Sequence, residues 1–241
     1  MKLLEFQRVS KSFRGLRAVS HVSLAVESTA IVALIGPNGA GKTTIFNMAS
    51  GATAPDSGKI LFAESRIDGL RPDQICALGI ARTFQIVKPF SELSVLDNVV
   101  VGALKRSARV RDARDQAETI LEKLGLGAKR NLPASALTLP DRKRLEVARA
   151  IATQPKLLLL DEAMAGLRPA ECEPMIEFLL EINRRDGVAI LLIEHVMRAV
   201  MALAERILVL HHGAAIAEGT PETVVREPAV IESYLGAETE V

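Results

Sequence analysis

The chain has 241 residues, of which 49% are hydrophobic, so it can bury the core of one large α/β domain, and intrinsic disorder is excluded. Aromatic residues make up only 3% of the chain, without tryptophan, which excludes a platform that binds single-stranded nucleic acid by stacking on rings. The net charge of +1 gives no bulk attraction to DNA or to acidic lipid.

Two further features bound the class of protein. Cys76 and Cys172 lie far apart in the sequence and match no metal-binding spacing, so we expect reduced thiols in a reducing compartment. The N-terminal segment lacks the apolar core of a signal peptide, and no apolar run approaches the roughly 20 residues that span a bilayer. If the protein works at a membrane, we expect it to do so by docking on an embedded partner.

The N-terminal region predicts two strands, over residues 2–9 and 22–26, separated by the segment KSFRGLRAVS. Phe13 lies in that segment between polar neighbours, ahead of the glycine-rich stretch described next. Two interpretations stay open for Phe13: a ring that stacks on adenine, or a turn aromatic that packs onto a sheet.

A glycine-rich loop follows a short apolar strand predicted over residues 31–35. It has the spacing G-x-x-x-x-G-K-[ST] of a phosphate-binding loop. Its glycines let backbone N–H groups turn towards a polyphosphate, while the lysine reaches the β- and γ-phosphates and the first threonine ligates Mg²⁺. The alternative is a strand-to-helix turn that binds nothing. The candidate residues are Gly36, Pro37, Asn38, Gly39, Ala40, Gly41, Lys42, Thr43 and Thr44.

The elements after the loop begin with a helix over residues 43–49, which Gly51 ends. A turn and a strand over residues 55–62 come next, then a helix that Pro72 opens and that ends near residue 78. A second apolar strand, over residues 80–85, ends on Gln85. That amide either bonds to a neighbouring loop or, beside a nucleotide, contacts Mg²⁺ or the attacking water.

Residues 89–150 differ from the rest of the chain in their pattern of apolar residues. Helical apolar spacing recurs over residues 95–104 and 113–124 without a strand signal between them. The connection between these helices is rich in arginine and lysine, and we favour a solvated connection over a partner-docking face. We expect a helical subdomain inserted into an α/β core.

Two buried strands in the second half of the chain end on polar side chains. The strand at residues 155–161 ends on Asp161 and Glu162, where open α/β sheets hold their ligands. Asp161 is placed to hold Mg²⁺ through water and Glu162 to orient or deprotonate the hydrolytic water, unless the pair serves only solubility. A helix over residues 169–185 leads to the strand at 188–193, after which His195 is expected to contact a γ-phosphate.

The remaining residues carry no predicted chemistry. His211 and His212 fall in a turn before Gly213 and are interpreted as surface residues, and the tail over residues 214–235 combines a small hairpin with short helices. The alternation of strands and helices predicts a mostly parallel sheet covered on both faces.

The motifs GPNGAGKTT, ARTFQ, LLLLDE and LLIEH, in this order, resemble those of the ATPase subunit of an ABC transporter, and the resemblance covers essentially the entire chain. More narrowly, ARTFQ, SVLDNVVVGAL, IEHVM and the tail AEGTPETV…PAVIESYLG resemble the ATP-binding subunits of branched-chain amino-acid uptake systems. The resemblance implies a P-loop NTPase with a mostly parallel sheet, an antiparallel N-terminal portion and an inserted helical subdomain at about residues 89–150. Residues 1–241 would form a single nucleotide-binding domain.

The resemblance also implies roles for individual residues, with ATP and Mg²⁺ as cofactors. It matches Phe13 to the adenine-stacking aromatic, residues 36–44 to the Walker A loop, Gln85 to the Q-loop, Asp161 to the Walker B acid, Glu162 to the catalytic base and His195 to the switch histidine. The implied magnesium ligands are Thr43, Gln85 and Asp161.

The partners implied by the resemblance are other subunits of a transporter. Family members dimerise, and each ATP lies between the phosphate loop of one subunit and the LSGGQ signature of the other. The dimer, homo- or heteromeric, would dock on membrane permeases at the cytoplasmic face, with an extracytoplasmic solute-binding protein acting indirectly. No nucleic-acid partner is expected.

The sequence departs from the family pattern at the signature, which falls on Leu137, Thr138, Leu139, Pro140 and Asp141. Thr138 can replace the usual serine as helix cap and phosphate ligand, but both glycines are absent. Pro140 has no N–H to offer a phosphate, Leu139 adds bulk, and Asp141 is expected to bring a negative charge near a polyanion. Arg168 replaces the usual Asp or Asn of the D-loop, and Val196 stands where related subunits often have Asp.

Four functions stay open at this point. The first is an ATPase that energises uptake of branched-chain or related amino acids through permeases. The second is the ATPase of a lipid or polysaccharide exporter, although ARTFQ and the YLG tail favour uptake. The third is a catalytically weak regulatory subunit, favoured only by the altered signature. The fourth, a non-transport ABC ATPase acting on nucleic acid or ribosomes, lacks the tandem domains, coiled coils or basic arms that such chains carry.

Overall fold

The computed structural model describes residues 1–85 and 88–235, so the final glycine of the predicted YLG motif lies outside the described residues. The strands are β1 (Lys2–Phe13), β2 (Leu16–Glu27), β3 (Ile31–Ile35), β4 (Ser57–Phe62), β5 (Ser65–Arg66), β6 (Ile80–Arg82), β7 (Leu157–Asp161), β8 (Ala189–Ile193), β9 (Arg206–His211) and β10 (Ala214–Gly219). The helices are α1 (Lys42–Ala49), α2 (Pro72–Leu78), α3 (Val95–Ala103), α4 (Val110–Lys123), α5 (Leu139–Ala152), α6 (Pro169–Asp186), α7 (Met197–Leu203), α8 (Pro221–Val224) and α9 (Pro228–Leu235).

Two sheets organise the molecule. The larger has the strand order β10-β9-β3-β8-β7-β6, and its strands are parallel except for the edge strand β10. The smaller is antiparallel, in the order β2-β1-β4-β5. The predicted fold class, with its mostly parallel sheet and antiparallel N-terminal portion, is therefore confirmed.

The central strand β3 is buried on both faces, which explains its continuous apolar sequence. Ile31, Ala33 and Ile35 belong to the core on the side of helices α3 to α7. Val32 and Leu34 belong to the core on the other side, which contains α1 and the inner face of the antiparallel sheet. The sheet is thus covered on both faces, as predicted from the strand–helix alternation.

Helices α3, α4 and α5 pack against one another on one side of the parallel sheet. Ser94 caps α3 by accepting the backbone N–H of Asp97 at 3.0 Å. The buried residues of these helices share one core with the sheet, and the separate helical subdomain at 89–150 stays a prediction. Within the described ranges, none of the helices is both long and apolar enough to cross a membrane.

The strand boundaries differ most from the sequence prediction in two regions, the N-terminal hairpin and the end of β6. The segment KSFRGLRAVS is mostly strand, because β1 and β2 form one long hairpin whose turn at Arg14 and Gly15 has positive φ at both residues. Phe13 ends β1 opposite Leu16 rather than lying in an irregular connection. Strand β6 ends at Arg82, three residues earlier than predicted, so Gln85 lies in the loop beyond the strand.

Candidate functional site

The predicted site residues converge because parallel strands end at one edge of the sheet. Strands β3, β8, β7 and β6 are consecutive neighbours, and Asp161 at the end of β7 pairs with Ile193 at the end of β8. The phosphate loop follows β3, His195 follows β8, and Gln85 follows β6. The topology therefore brings four segments that are distant in sequence to one edge.

Two glycines of the loop are required by close backbone contacts. At Gly36 a β-carbon would lie 2.0 Å from the carbonyl oxygen of Leu210, and at Gly41 it would lie 2.4 Å from that of Ala18. Both residues also have positive φ, which disfavours any other residue there. Gly39, in contrast, has open space around it, so the tip of the loop leaves room for a ligand.

Lys42 is buried beneath the loop, with 6% of its surface exposed. Its ammonium donates to the carbonyl oxygens of Gly36 at 2.6 Å and of Pro37 at 2.9 Å. Burial lowers the pKa of Lys42, while the charges of Glu162 and Asp161 act in the opposite direction. A buried cation that donates to neutral carbonyls is suited to receive a strongly anionic group such as a polyphosphate.

Glu162 lies at the centre of a three-residue hydrogen-bond cluster. Its carboxylate accepts from Gln85 Nε2 at 2.9 Å and faces His195 Nε2 at 2.9 Å. An ionised carboxylate can only accept, so a hydrogen bond to it requires a form of the histidine that carries a proton on Nε2. The backbone of Glu162 has φ of 50°, a left-handed conformation that costs free energy and is concentrated at functional sites.

Asp161 is buried, and Arg82 donates to its Oδ2 at 2.8 Å. Its carboxylate shares a cavity of about 440 Å³ with Thr43 and Gln85, the two other predicted magnesium ligands. Hydroxyl, amide and carboxylate oxygens are the donor set that Mg²⁺ prefers, and such sites keep part of the water shell of the ion. The residues present therefore fit a magnesium ion that is bound together with phosphate.

The signature segment forms the start of α5. Thr138 caps this helix by facing the N–H of Asp141, and its hydroxyl donates to the Asp141 carboxylate at 2.7 Å. Asp141 is only 4% exposed and also pairs with Lys129 at 2.5 Å and Arg144 at 3.6 Å. Neighbouring cations therefore balance the charge of Asp141 inside the protein, and its expected effect on a partner's polyphosphate stays a prediction.

Two other predicted positions have simple local contacts. Phe13 is 45% exposed, with the Lys11 ammonium 5.5 Å from its ring centroid, and the hairpin that carries it contacts Gly41 through Ala18. Arg168 is the N-cap residue of α6 and pairs with Glu171 at 2.7 Å, so a carboxylate in the first turn of the helix balances its charge.

Three buried charged residues around the site, Lys143, Glu146 and Glu194, were not predicted from the sequence, and neither was the partly buried Arg82. Glu194 stands directly beside His195, and Arg82 and Glu146 stand between uncharged neighbours, whereas Lys143 lies between Arg142 and Arg144. For Arg82 and Glu146, a charge between uncharged neighbours was the available signal, because charged groups are rarely buried without a partner.

Glu194, between β8 and His195, has an unusual carboxyl group. It accepts the backbone N–H of Met164 at 2.8 Å through Oε1, whereas Oε2 has no hydrogen-bond partner among residues 1–85 and 88–235. Burial raises the pKa of Glu194 to about 7, against the lowering effects of the Met164 N–H and the Lys143 charge, and Glu162 adds a smaller raising effect.

This raised pKa predicts a pH-dependent stability. Between pH 4.5, the ordinary pKa of a glutamate, and about pH 7, the folded chain binds more protons at Glu194 than the unfolded chain does. The contribution of Glu194 to the free energy of unfolding therefore falls as the pH rises. Relative to Glu194→Gln, which keeps an acceptor for Met164, the wild-type unfolding free energy should fall by roughly 3 kcal/mol across that window. Urea denaturation at pH 5 and pH 8 measures it, and parallel profiles of the two proteins would contradict it.

A glycine-lined loop on the central strand, an acid pair on the neighbouring strand and a polar amide and histidine at the same edge define a P-loop NTPase of the ABC type. The chain belongs to the ABC transporter family, whose model matches residues 19–165. A second family model, described as the branched-chain amino acid ATP-binding cassette transporter, matches residues 216–240.

Individual relatives extend this result over nearly the whole chain. The high-affinity branched-chain amino acid transport ATP-binding protein LivG of Salmonella typhimurium is 43% identical, over 97% of this chain and 98% of its own. The lipopolysaccharide export system ATP-binding protein LptB of Haemophilus influenzae is 34% identical, with 98% of both chains covered. The structure resembles the ADP conformation of MJ1267, an ATP-binding cassette of an ABC transporter, with a TM-score of 0.88 and 30% identity over 98% of this chain and 99% of that one.

Proposed function

We propose that this chain is the ATP-hydrolysing subunit of an ABC importer that takes up branched-chain or related amino acids. The observation that carries the ATPase part is the position of Glu162, which is held between Gln85 and His195 beside the phosphate loop. The observation that carries the solute is the similarity to LivG together with the match at the C-terminal region.

In this proposal the loop over residues 36–44 holds the triphosphate, with Lys42 moving its donors from the loop carbonyls to the phosphates. Phe13 stacks on the adenine. Thr43, Gln85 and Asp161 hold Mg²⁺, which when bound neutralises charge that develops on the phosphate oxygens. Glu162 orients and deprotonates the attacking water, and His195 holds the Glu162 carboxylate in place and contacts the γ-phosphate.

The proposed partners are a second ATPase subunit and membrane permeases at the cytoplasmic face, with a solute-binding protein on the far side. Closure of the ATPase dimer on ATP would move the permeases, and hydrolysis would reset them. Residues 1–241 would act as one nucleotide-binding domain, with the helices of residues 89–150 as the part that meets the permeases.

Reconstitution tests the direction of transport and the solute. The chain, co-purified with its permeases and supplied with its binding protein, should accumulate labelled leucine in liposomes only when ATP is present on the side of this chain. ATP-driven extrusion of lipopolysaccharide or another lipid, without leucine uptake, would instead establish the exporter function suggested by the lower similarity to LptB.

The altered signature motivates a second part of the proposal, that this chain supports the ATP of a partner poorly. Pro140 offers no N–H, and Leu139, which is 53% exposed at the first position of α5, adds bulk where a phosphate should approach. The Walker A and Walker B motifs of this chain, in contrast, are complete. A heterodimer with a subunit that carries an intact signature would therefore keep one strong site.

Replacing Leu139 and Pro140 together by glycine tests this directly. The double variant should hydrolyse ATP roughly tenfold or more faster than the wild-type chain alone, because position 140 regains an N–H whose hydrogen bond to a charged group contributes about 1.5–3 kcal/mol, and position 139 loses its bulk. Steady-state phosphate release measures the rates. Brisk, cooperative hydrolysis by the unaltered chain alone would show that its signature is not impaired.

A further inference from the structure

Lys143 is a buried cation on the signature helix that touches the backbone of Glu162. It lies in the second turn of α5, is 7% exposed, and its ammonium donates to the carbonyl oxygen of Glu162 at 2.6 Å. Burial lowers the pKa of Lys143, while the charges of Glu194 and Glu162 act in the opposite direction. An apolar side chain of the same length would fill this space without the cost of burying a charge, so packing does not explain the residue.

The turn after β7 is held from a second side as well. Met164 donates its N–H to Glu194 at 2.8 Å, and Glu162 donates its N–H to the carbonyl oxygen of Ile193 at 2.9 Å. The oxygen that accepts from Lys143 also accepts the N–H of Ala165, at 3.3 Å. The backbone around the left-handed Glu162 therefore depends on contacts from β8 and from α5.

Helix α5 connects this turn to the signature segment. Thr138 caps the helix, and Lys143 lies about 6 Å along the axis from Leu139, at 1.5 Å per residue. Over so short a distance a helix moves as a rigid unit. A displacement at its capped end is therefore transmitted to the ammonium of Lys143.

We propose that Lys143 is a positioning residue that couples the signature end of α5 to the backbone of Glu162. In a dimer in which each signature meets the nucleotide of the partner, this contact links the occupancy of one site to the catalytic acid of the other. The inference rests on the proposed function for the location of the nucleotides, and the contact itself does not depend on it.

Hydrogen exchange of the full-length chain tests the contact without any nucleotide. In Lys143→Met, the amides of Glu162, Met164 and Ala165 should exchange about tenfold or more faster, while the amides of β3 keep their wild-type rates. Lys143→Arg, which retains a donor, should restore slow exchange. Lys123→Met is the matched control, because Lys123 is partly exposed on α4 and pairs with Glu181. If Lys143→Met does not fold, Lys143→Gln takes its place.

A double-mutant cycle tests the coupling. Thr138→Ala loosens the start of α5, so it should speed exchange of the Ala165 amide when Lys143 is present, and should add little when Lys143 is replaced by Met. ATP affinity should be unchanged in Lys143→Met, whereas single-turnover hydrolysis should fall about tenfold.

Two results for the single variant Lys143→Met would overturn the inference: wild-type exchange and hydrolysis, or equal acceleration of the β3 amides, which would reveal a general loss of stability. Additive effects of Thr138→Ala and Lys143→Met would also overturn it. A wild-type chain that binds no ATP would instead refute the proposed function, and the exchange comparison would still decide the contact.

Discussion

Glu162→Gln should abolish ATP hydrolysis while ATP binding persists. The substitution keeps the size of the side chain and its hydrogen bond from Gln85, and it removes the carboxylate that deprotonates water. General-base catalysis typically contributes a factor of about 10² to 10⁴, so the rate of phosphate release should fall by that amount.

Glu181→Gln provides the control for Glu162→Gln, because Glu181 is a partly exposed acid on α6 that pairs with Lys123 and Arg185. It should hydrolyse ATP at the wild-type rate. Hydrolysis by Glu162→Gln at more than about a tenth of the wild-type rate would exclude Glu162 as the base, since a base contributes at least about 10².

Lys42→Ala should remove most of the nucleotide affinity. The ammonium is the buried cation of the loop, and two charge-assisted hydrogen bonds to phosphate oxygens contribute about 1.5–3 kcal/mol each, so the dissociation constant should rise roughly 10²-fold or more. Displacement of a fluorescent ATP analogue measures the affinity, and thermal unfolding verifies that the variant folds.

Lys59→Ala, an exposed lysine on β4, serves as the control for charge alone and should bind like the wild type. If Lys42→Ala bound the nucleotide as tightly as the control, the loop could not be the phosphate site.

An element of the fold could be predicted from the sequence where its signal lies within a few neighbouring residues. Strands β3, β7 and β8 could be predicted because a buried strand has a continuous apolar sequence. The helix boundaries at Pro72, Pro169 and Gly187 could be predicted because these residue types mark helix ends locally. The long hairpin of β1 and β2 was not, since polar residues on the exposed face of an antiparallel sheet resemble a loop.

The candidate site likewise has residues that a local motif predicts and contacts that only the folded chain shows. The phosphate loop and the acid pair follow from a spacing that its chemistry demands. Pairings such as Arg82 with Asp161, Lys129 with Asp141 and Lys143 with Glu162 join residues 12 to 79 positions apart, so only the folded arrangement reveals them. The charge balance at Asp141 could not be predicted for this reason, because Lys129 lies outside the signature motif.

The central claim is that the loop over residues 36–44 grips a triphosphate next to Glu162. Calorimetric titration of Glu162→Gln with magnesium-ATP tests it most directly, because this variant should bind the nucleotide without consuming it. We predict saturable binding of one nucleotide per chain. A folded variant that takes up no magnesium-ATP would contradict the account.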